Sequence, residues 1–198
     1  MLNLALLLGF VAAAACTDLR AGKIYNKTTY SGILVALGLS TLATLLGMEV
    51  RQGVAPHEWW VGALSLLQSA AGLGLCGGIM VVCYLVFAGG IGGGDIKLVA
   101  MMGAFLGAYA GMEALIWTFL IAAVAGVISL IWQVGAGELL RRFFAYPLYI
   151  LRFRSRPAIR DEDRAPLKTR LFLGPSALAG VLVVVVRLVT GVEWGQTM

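Results

Sequence analysis

The sequence predicts an all-α, polytopic integral membrane protein with about six transmembrane helices and both termini on the outer side of the membrane. Of its 198 residues, 60% are hydrophobic and 13% are charged, whereas a soluble domain carries about 25% charged residues. Its apolar segments approach the roughly 20 residues that a helix needs to cross a bilayer. Its lysines and arginines are concentrated in alternate connections. We therefore expect a single membrane domain over residues 1–198.

Polar and glycine-rich connections set the limits of the predicted spans. The first span ends just before Asp18, and a basic loop separates it from the second. Trp59 and Trp60 mark the membrane interface just before the third span, because indole rings favour that interface. The glycine-rich stretch 89–94 precedes the fourth, and a brief turn at Met112–Glu113 separates the fourth from the fifth. The six spans cover about residues 2–17, 29–47, 61–88, 96–110, 114–134 and 171–189.

Glycine spacing predicts close helix packing in the third and fourth spans. Gly74 and Gly78 form a G-x-x-x-G pair in the third span. Gly103, Gly107 and Gly111 repeat every four residues along the fourth. Faces of this kind let two helix backbones approach each other. We expect the glycine face of the fourth span to pack against a neighbouring helix.

The only long polar connection covers about residues 135–170. Residues 139–153 mix arginines with five aromatic side chains, a composition typical of a segment that lies on the membrane surface against anionic headgroups. The acidic run 161–163 follows. It is interpreted as a solvated turn, with a receptor for a basic peptide as the alternative.

The distribution of basic residues orients the chain. Of the 15 lysines and arginines, 13 lie in the loop after the first span, the glycine-rich stretch with Lys97 and the long connection. The exceptions are Arg51 and Arg187. Because basic loops stay in the cytoplasm, we predict that these three connections face the cytoplasm in a multi-pass inner membrane protein.

The cysteines and the histidine do not form a metal or disulfide pattern. Cys16, Cys76 and Cys83 all fall in apolar segments without a C-x-x-C pair, so they are interpreted as small buried hydrophobes. His57 is the only histidine. We expect no metal and no cofactor.

Two aspartates lie at matching ends of predicted spans. Asp95 follows the stretch Gly89–Gly94 at the start of the fourth span, where the alternative role is that of a helix N-cap. Asp18 lies at the carboxyl end of the first span, where the helix dipole disfavours a negative charge. Antiparallel spans would bring both carboxyl groups to one depth at the cytoplasmic face.

Paired carboxyl groups can hydrolyse a peptide bond. Two such groups in proximity do not both ionise easily, so they share a proton. One then acts as base on a water molecule while the other acts as acid toward the peptide carbonyl. The open backbone of the nearby glycines, including Gly92 and Gly94, would pair with an extended substrate.

Three segments resemble the type IV prepilin and preflagellin peptidases, which are membrane aspartyl proteases with a G-x-G-D motif. Residues 92–98, Gly-Gly-Gly-Asp-Ile-Lys-Leu, match the motif of the second aspartate. Asp18-Leu19-Arg20 and Ile24-Tyr25-Asn26 are similar to the segment of the first aspartate, with Tyr25 at a position where proline is usual. Residues 173–180 are similar to the Gly-Pro segment that opens the last helix.

The resemblance implies catalytic roles for Asp18 and Asp95, and motif or substrate-approach roles for Gly92, Gly94 and Lys97. Lys97 either steadies the charge of the acids or extends to the interface. The implied partners are a prepilin or pilin-like precursor and the lipid bilayer, with no nucleic acid. The short chain resembles the small Tad/Flp-pilus type, and N-methylation of the new amino terminus stays open.

Two other functions are compatible with paired acids. A proton or cation transporter, or a pilus-assembly scaffold, would also use intramembrane carboxyl groups, but it gives no reason for a glycine-rich stretch beside one of them. A presenilin-type protease shares the G-x-G-D residues, but its Tyr-Asp pair is absent because Thr17 precedes Asp18.

Overall fold

The computed structural model describes residues 2–47, 49–50, 63–86, 92–134 and 173–191. In these ranges the fold is helical, apart from two strands of two residues each. The order is α1 (Leu2–Ala21), α2 (Asn26–Leu46), β1 (Glu49–Val50), β2 (Ala63–Leu64), α3 (Leu66–Val86), α4 (Gly93–Val134) and α5 (Leu173–Thr190). All five helices are long and apolar enough to cross a membrane, which confirms the predicted class.

The chain forms two compact units. One contains Met1–Ile121 with Phe172–Met198, and the other contains Ala122–Leu171. The described part of the second unit is the end of α4, residues 122–134. The surface segment predicted at 139–153 and the acidic run at 161–163 lie outside the described residues, so both stay predictions.

Helix α4 folds back on itself at Gly107, which corrects the predicted turn at Met112–Glu113. Gly107 has φ 78° and ψ −175°, a conformation that is essentially restricted to glycine. A Cβ atom built on Gly111 would lie 3.1 Å from the Cα of Gly103, whereas an uninterrupted helix separates these residues by about 12 Å. The chain therefore reverses direction between them, and α4 contributes two helical segments.

The reversal leaves the end of the first α4 segment in need of hydrogen-bond donors. The last carbonyl groups of a helix have no partner within it. Asn3 of α1 donates its side-chain amide to the Phe105 carbonyl at 3.3 Å. Ser69 of α3 donates its hydroxyl to the Ala104 carbonyl at 2.7 Å. These buried bonds fix α1 and α3 around the break.

Glycines bring α3 and α4 together, but the pair in α3 differs from the predicted one. A Cβ atom on Gly103 would clash with the carbonyl group of Gly72 and lie 2.8 Å from the Cβ of Cys76. Gly103 thus packs against α3 as predicted, but the break at Gly107 means that Gly103 and Gly111 do not share one helix face. The Cβ positions of Gly74 and Gly78 meet no atom of the described residues within 4 Å, so α3 contacts α4 through Gly72 and Gly77, whose Cβ would lie 3.2 Å from the Cβ of Ala100.

Helix α5 packs on the second segment of α4. A Cβ atom on Gly180 would lie 2.6 Å from the Thr118 hydroxyl oxygen. Further along the helix, Arg187 forms an ion pair with Glu113 at 2.5 Å. Glu113 therefore lies within a helix and binds α5, although the sequence placed it in a connecting turn.

The core lies where α1, α4 and α5 meet. Its largest fully buried side chains include Leu7, Val11, Met102, Phe105 and Val181. Many large apolar residues point outward instead, as expected for helices solvated by lipid. The most exposed include Leu34, Leu45, Leu67, Tyr109 and Trp132.

Candidate active site

Asp18 lies in the last turn of α1, and its carboxylate binds the beginning of α5. It is 7% exposed. Its Oδ2 accepts a hydrogen bond of 2.8 Å from the backbone N–H of Gly174. The first N–H groups of a helix have no partner within it and form its positive end. Asp18 thus lies at the negative end of α1, which disfavours its charge, and beside the positive end of α5, which favours it.

Asp95 is the third residue of α4 and binds the backbone immediately before that helix. Its Oδ2 accepts a hydrogen bond of 3.2 Å from the N–H of Gly92, and its own N–H donates to the Gly92 carbonyl at 3.0 Å. This is the arrangement of a capping box, in which an acid at the third helical position binds the N-cap backbone. Gly92, and not Asp95, therefore occupies the N-cap.

The segments that carry the two acids meet. Asp95 lies within electrostatic range of Asp18, although burial and the hydrogen bond from Gly92 affect Asp95 more strongly. Ile24, in the loop after Asp18, packs on the glycine before Asp95: a Cβ atom on Gly94 would lie 3.0 Å from the Cβ of Ile24. The loop after α1 thus meets the start of α4 through this contact.

The glycines of the motif have different surroundings. A Cβ atom on Gly92 would lie 2.9 Å from the Oδ2 of Asp95, so a side chain at 92 would displace the acid. The space at the Cβ position of Gly94 is filled by Ile24. Gly93 has no described atom within 4 Å of its Cβ position. Among the described residues, Gly93 is therefore the motif glycine with open space beside it.

Lys97 binds α2 and does not contact the acids. Its ammonium group donates a hydrogen bond of 2.8 Å to the Oδ1 of Asn26 and lies 4.7 Å from the ring centroid of Tyr30. Neither role predicted for Lys97 describes this contact. Lys97 joins the segment of the second aspartate to the segment of the first.

Tyr25 replaces the usual proline without changing the backbone. It lies at the N-cap of α2 with φ −75° and ψ 133°, and proline is locked near φ −65°. The first turn of α2, which supplies Asn26 to Lys97, therefore begins from a backbone that proline would also adopt.

Sequence reasoning did not assign Gly174, Ile24, Asn26 or Tyr30 to the site. The available signals were the segment Ile24-Tyr25-Asn26 and the Gly-Pro pair at 174–175, which resemble the family segments but had no role assigned to them. In the described ranges, His, Cys, Asp and Glu form no group of three or more able to hold a metal. His57 lies outside these ranges, and the expectation of a site without metal stays a prediction.

A comparison with models of protein families shows the family of this chain. A model described as the type IV leader peptidase family matches residues 5–131. The chain belongs to this family. In this member of the leader peptidase family, the matched range contains Asp18 and Asp95 and ends before α5. No curated protein and no solved structure matches the chain significantly.

Proposed function

We propose that this protein is a membrane-embedded aspartyl endopeptidase that removes the short leader of type IV pilin-like precursors. The carrying observation is that Asp18 and Asp95, which are 77 positions apart in sequence, lie within electrostatic range of each other. Family membership supports proteolysis. The motif lysine, bound to α2, supports a rigid frame for the two acids.

The proposed reaction uses the pair as one acid and one base. The ionised carboxylate takes a proton from water, and the water oxygen forms a bond to the carbonyl carbon of the peptide. The protonated carboxyl gives its proton to the carbonyl oxygen, so a neutral tetrahedral intermediate forms. The carboxyl group that now carries the water proton gives it to the nitrogen as the C–N bond breaks, and the amine leaves. The other carboxylate takes the proton of one hydroxyl group of the intermediate, which becomes the new carboxylic acid, and the pair again shares one proton.

The proposed substrate path passes the amino end of α4. An extended peptide needs backbone groups that it can approach closely, and glycine offers them. The open space beside Gly93 favours this position. In this proposal Gly92 and Gly94 shape the turn, since their hydrogen atoms face Asp95 and Ile24.

The proposed location is the inner membrane, with the acids at the cytoplasmic face. The basic connections support this orientation, because the loop with Arg20, Lys23 and Lys27 follows Asp18 directly. The proposed partners are the precursor protein and the surrounding lipid.

The test is co-expression with a candidate prepilin, followed by measurement of leader removal. Asp18→Asn and Asp95→Asn should each abolish cleavage while the protein still inserts. Glu113→Gln is the matched control, because it removes an acid that binds Arg187 in the same bundle. This control lowers the stability of the bundle but should retain cleavage per folded molecule, because Glu113 is paired with Arg187 and not with either aspartate. Normal processing by either aspartate variant refutes the proposal, and loss of processing with ion uptake intact excludes the transporter alternative.

A further inference from the structure

The burial of Asp18 poses an energetic problem for α1. Its side chain is 7% exposed, and a buried carboxylate is costly unless hydrogen bonds compensate it. Its own helix makes the position worse, because the carboxyl end of a helix carries partial negative charge. Another element must therefore stabilise the charged form of Asp18.

The first turn of α5 supplies this stabilisation. Gly174 is the second residue of α5, where the N–H has no partner within the helix. It donates to Asp18 Oδ2 at 2.8 Å, and hydrogen bonds to a carboxylate are about twice as strong as neutral ones. Pro175 follows and has no N–H to offer in its place.

The contact requires glycine at position 174. A Cβ atom there would lie 2.9 Å from both the Cβ and the Oδ2 of Asp18, and 3.0 Å from the Cα of Ala15. The Ala15 atom belongs to the backbone of α1. The Asp18 side chain is short, so its Cβ atom cannot move away while its own Cα stays in place. Neither can yield without moving the carboxylate or separating α5 from α1.

We infer that Gly174 is a positioning residue for catalysis, which orients Asp18 through its N–H and through the absence of a side chain. The inference rests on the proposed function. With Oδ2 bound to Gly174, Oδ1 is the oxygen left for water and substrate. Asp95 is oriented by its own helix start, three residues away, but Asp18 depends on a donor 156 residues away. The pair is complete only when α5 is docked.

The first test is Gly174→Ala in the full-length protein in detergent or nanodiscs, with leader cleavage measured over a range of prepilin concentrations. We expect kcat to fall by about 100-fold, because small displacements of a catalytic group have effects of this size. KM should stay within about twofold, because this displacement acts on the reacting group and leaves the substrate path beside Gly93 unchanged.

The matched control is Gly180→Ala in the same helix. Its Cβ would lie 2.6 Å from the Thr118 hydroxyl and 3.0 Å from the Ala114 carbonyl, so it is at least as crowded but does not contact the acid. This variant should lower thermal stability and leave kcat per folded molecule close to wild type. Equal kcat for the two variants overturns the inference.

A second variant removes the donor without adding atoms. Glycolic acid in place of Gly174, introduced by nonsense suppression in a cell-free membrane system, replaces the N–H by an ester oxygen. We expect kcat to fall about tenfold or more with KM unchanged, since a hydrogen bond to a charged group is lost. A wild-type kcat for this ester overturns the inference. If this ester has a wild-type kcat while the single variants Asp18→Asn and Asp95→Asn are inactive, the inference about Gly174 fails but the proposed function stands.

Discussion

The ammonium group of Lys97 donates a hydrogen bond of 2.8 Å to Oδ1 of Asn26, which joins the first turns of α4 and α2. The same group lies over the Tyr30 ring. Because Lys97 is two residues from Asp95, this bond holds the start of α4 against α2. It sets the position of one acid relative to the other without contacting either.

Replacement of Lys97 by Met should loosen this connection. We expect the free energy of unfolding to fall by about 1 kcal/mol, since one hydrogen bond and one cation–π contact are lost, and cleavage to fall several-fold. Lys27→Met is the control, because Lys27 is an exposed lysine in the first turn of α2, beside Asn26. In a double-mutant cycle, Lys97→Met and Asn26→Ala should be non-additive. Additive effects would show that the two residues are not coupled.

The reversal of α4 gives a prediction for Gly107. Its φ of 78° with ψ of −175° costs a residue with a side chain about 1–3 kcal/mol. Gly107→Ala should lower the free energy of unfolding by this amount, measured by denaturant titration in mild detergent. Gly78→Ala should be neutral or stabilising, because Gly78 is helical and its Cβ position meets no atom of the described part of the chain within 4 Å. Equal stability of the two variants would contradict the reversal.

The sequence was sufficient for the class and for the position of most helices, because apolar length is a local property. It did not show that α4 breaks at Gly107. A glycine in a regular four-residue repeat has the same sequence pattern whether it packs against a neighbouring helix or interrupts its own. The choice of Gly72 over Gly74 depends on which face of α3 meets α4. The bond from Gly174 to Asp18 spans 156 residues, and no local pattern encodes such a contact.

Tyr25 offers a stabilising substitution. Its backbone already has φ −75°, close to the value fixed by proline. Tyr25→Pro should raise the free energy of unfolding by about 0.4–1 kcal/mol, because proline reduces the entropy of the unfolded chain. Thr28→Pro is the control, since its N–H donates to the Tyr25 carbonyl at 3.1 Å and proline would remove that bond. A destabilised Tyr25→Pro would indicate that the N–H of Tyr25 is needed.

The ion pair between Glu113 and Arg187 should stabilise the docking of α5. Both residues lie in helices of membrane-spanning character, where an unpaired charge is costly and charged groups pair with each other. Glu113→Gln should lower the free energy of unfolding by about 1–3 kcal/mol, since Arg187 loses its charged partner. The double variant Glu113→Met with Arg187→Met should recover much of this loss, because it removes both charges together. If the double variant is as unstable as the sum of the single changes, the two side chains act separately.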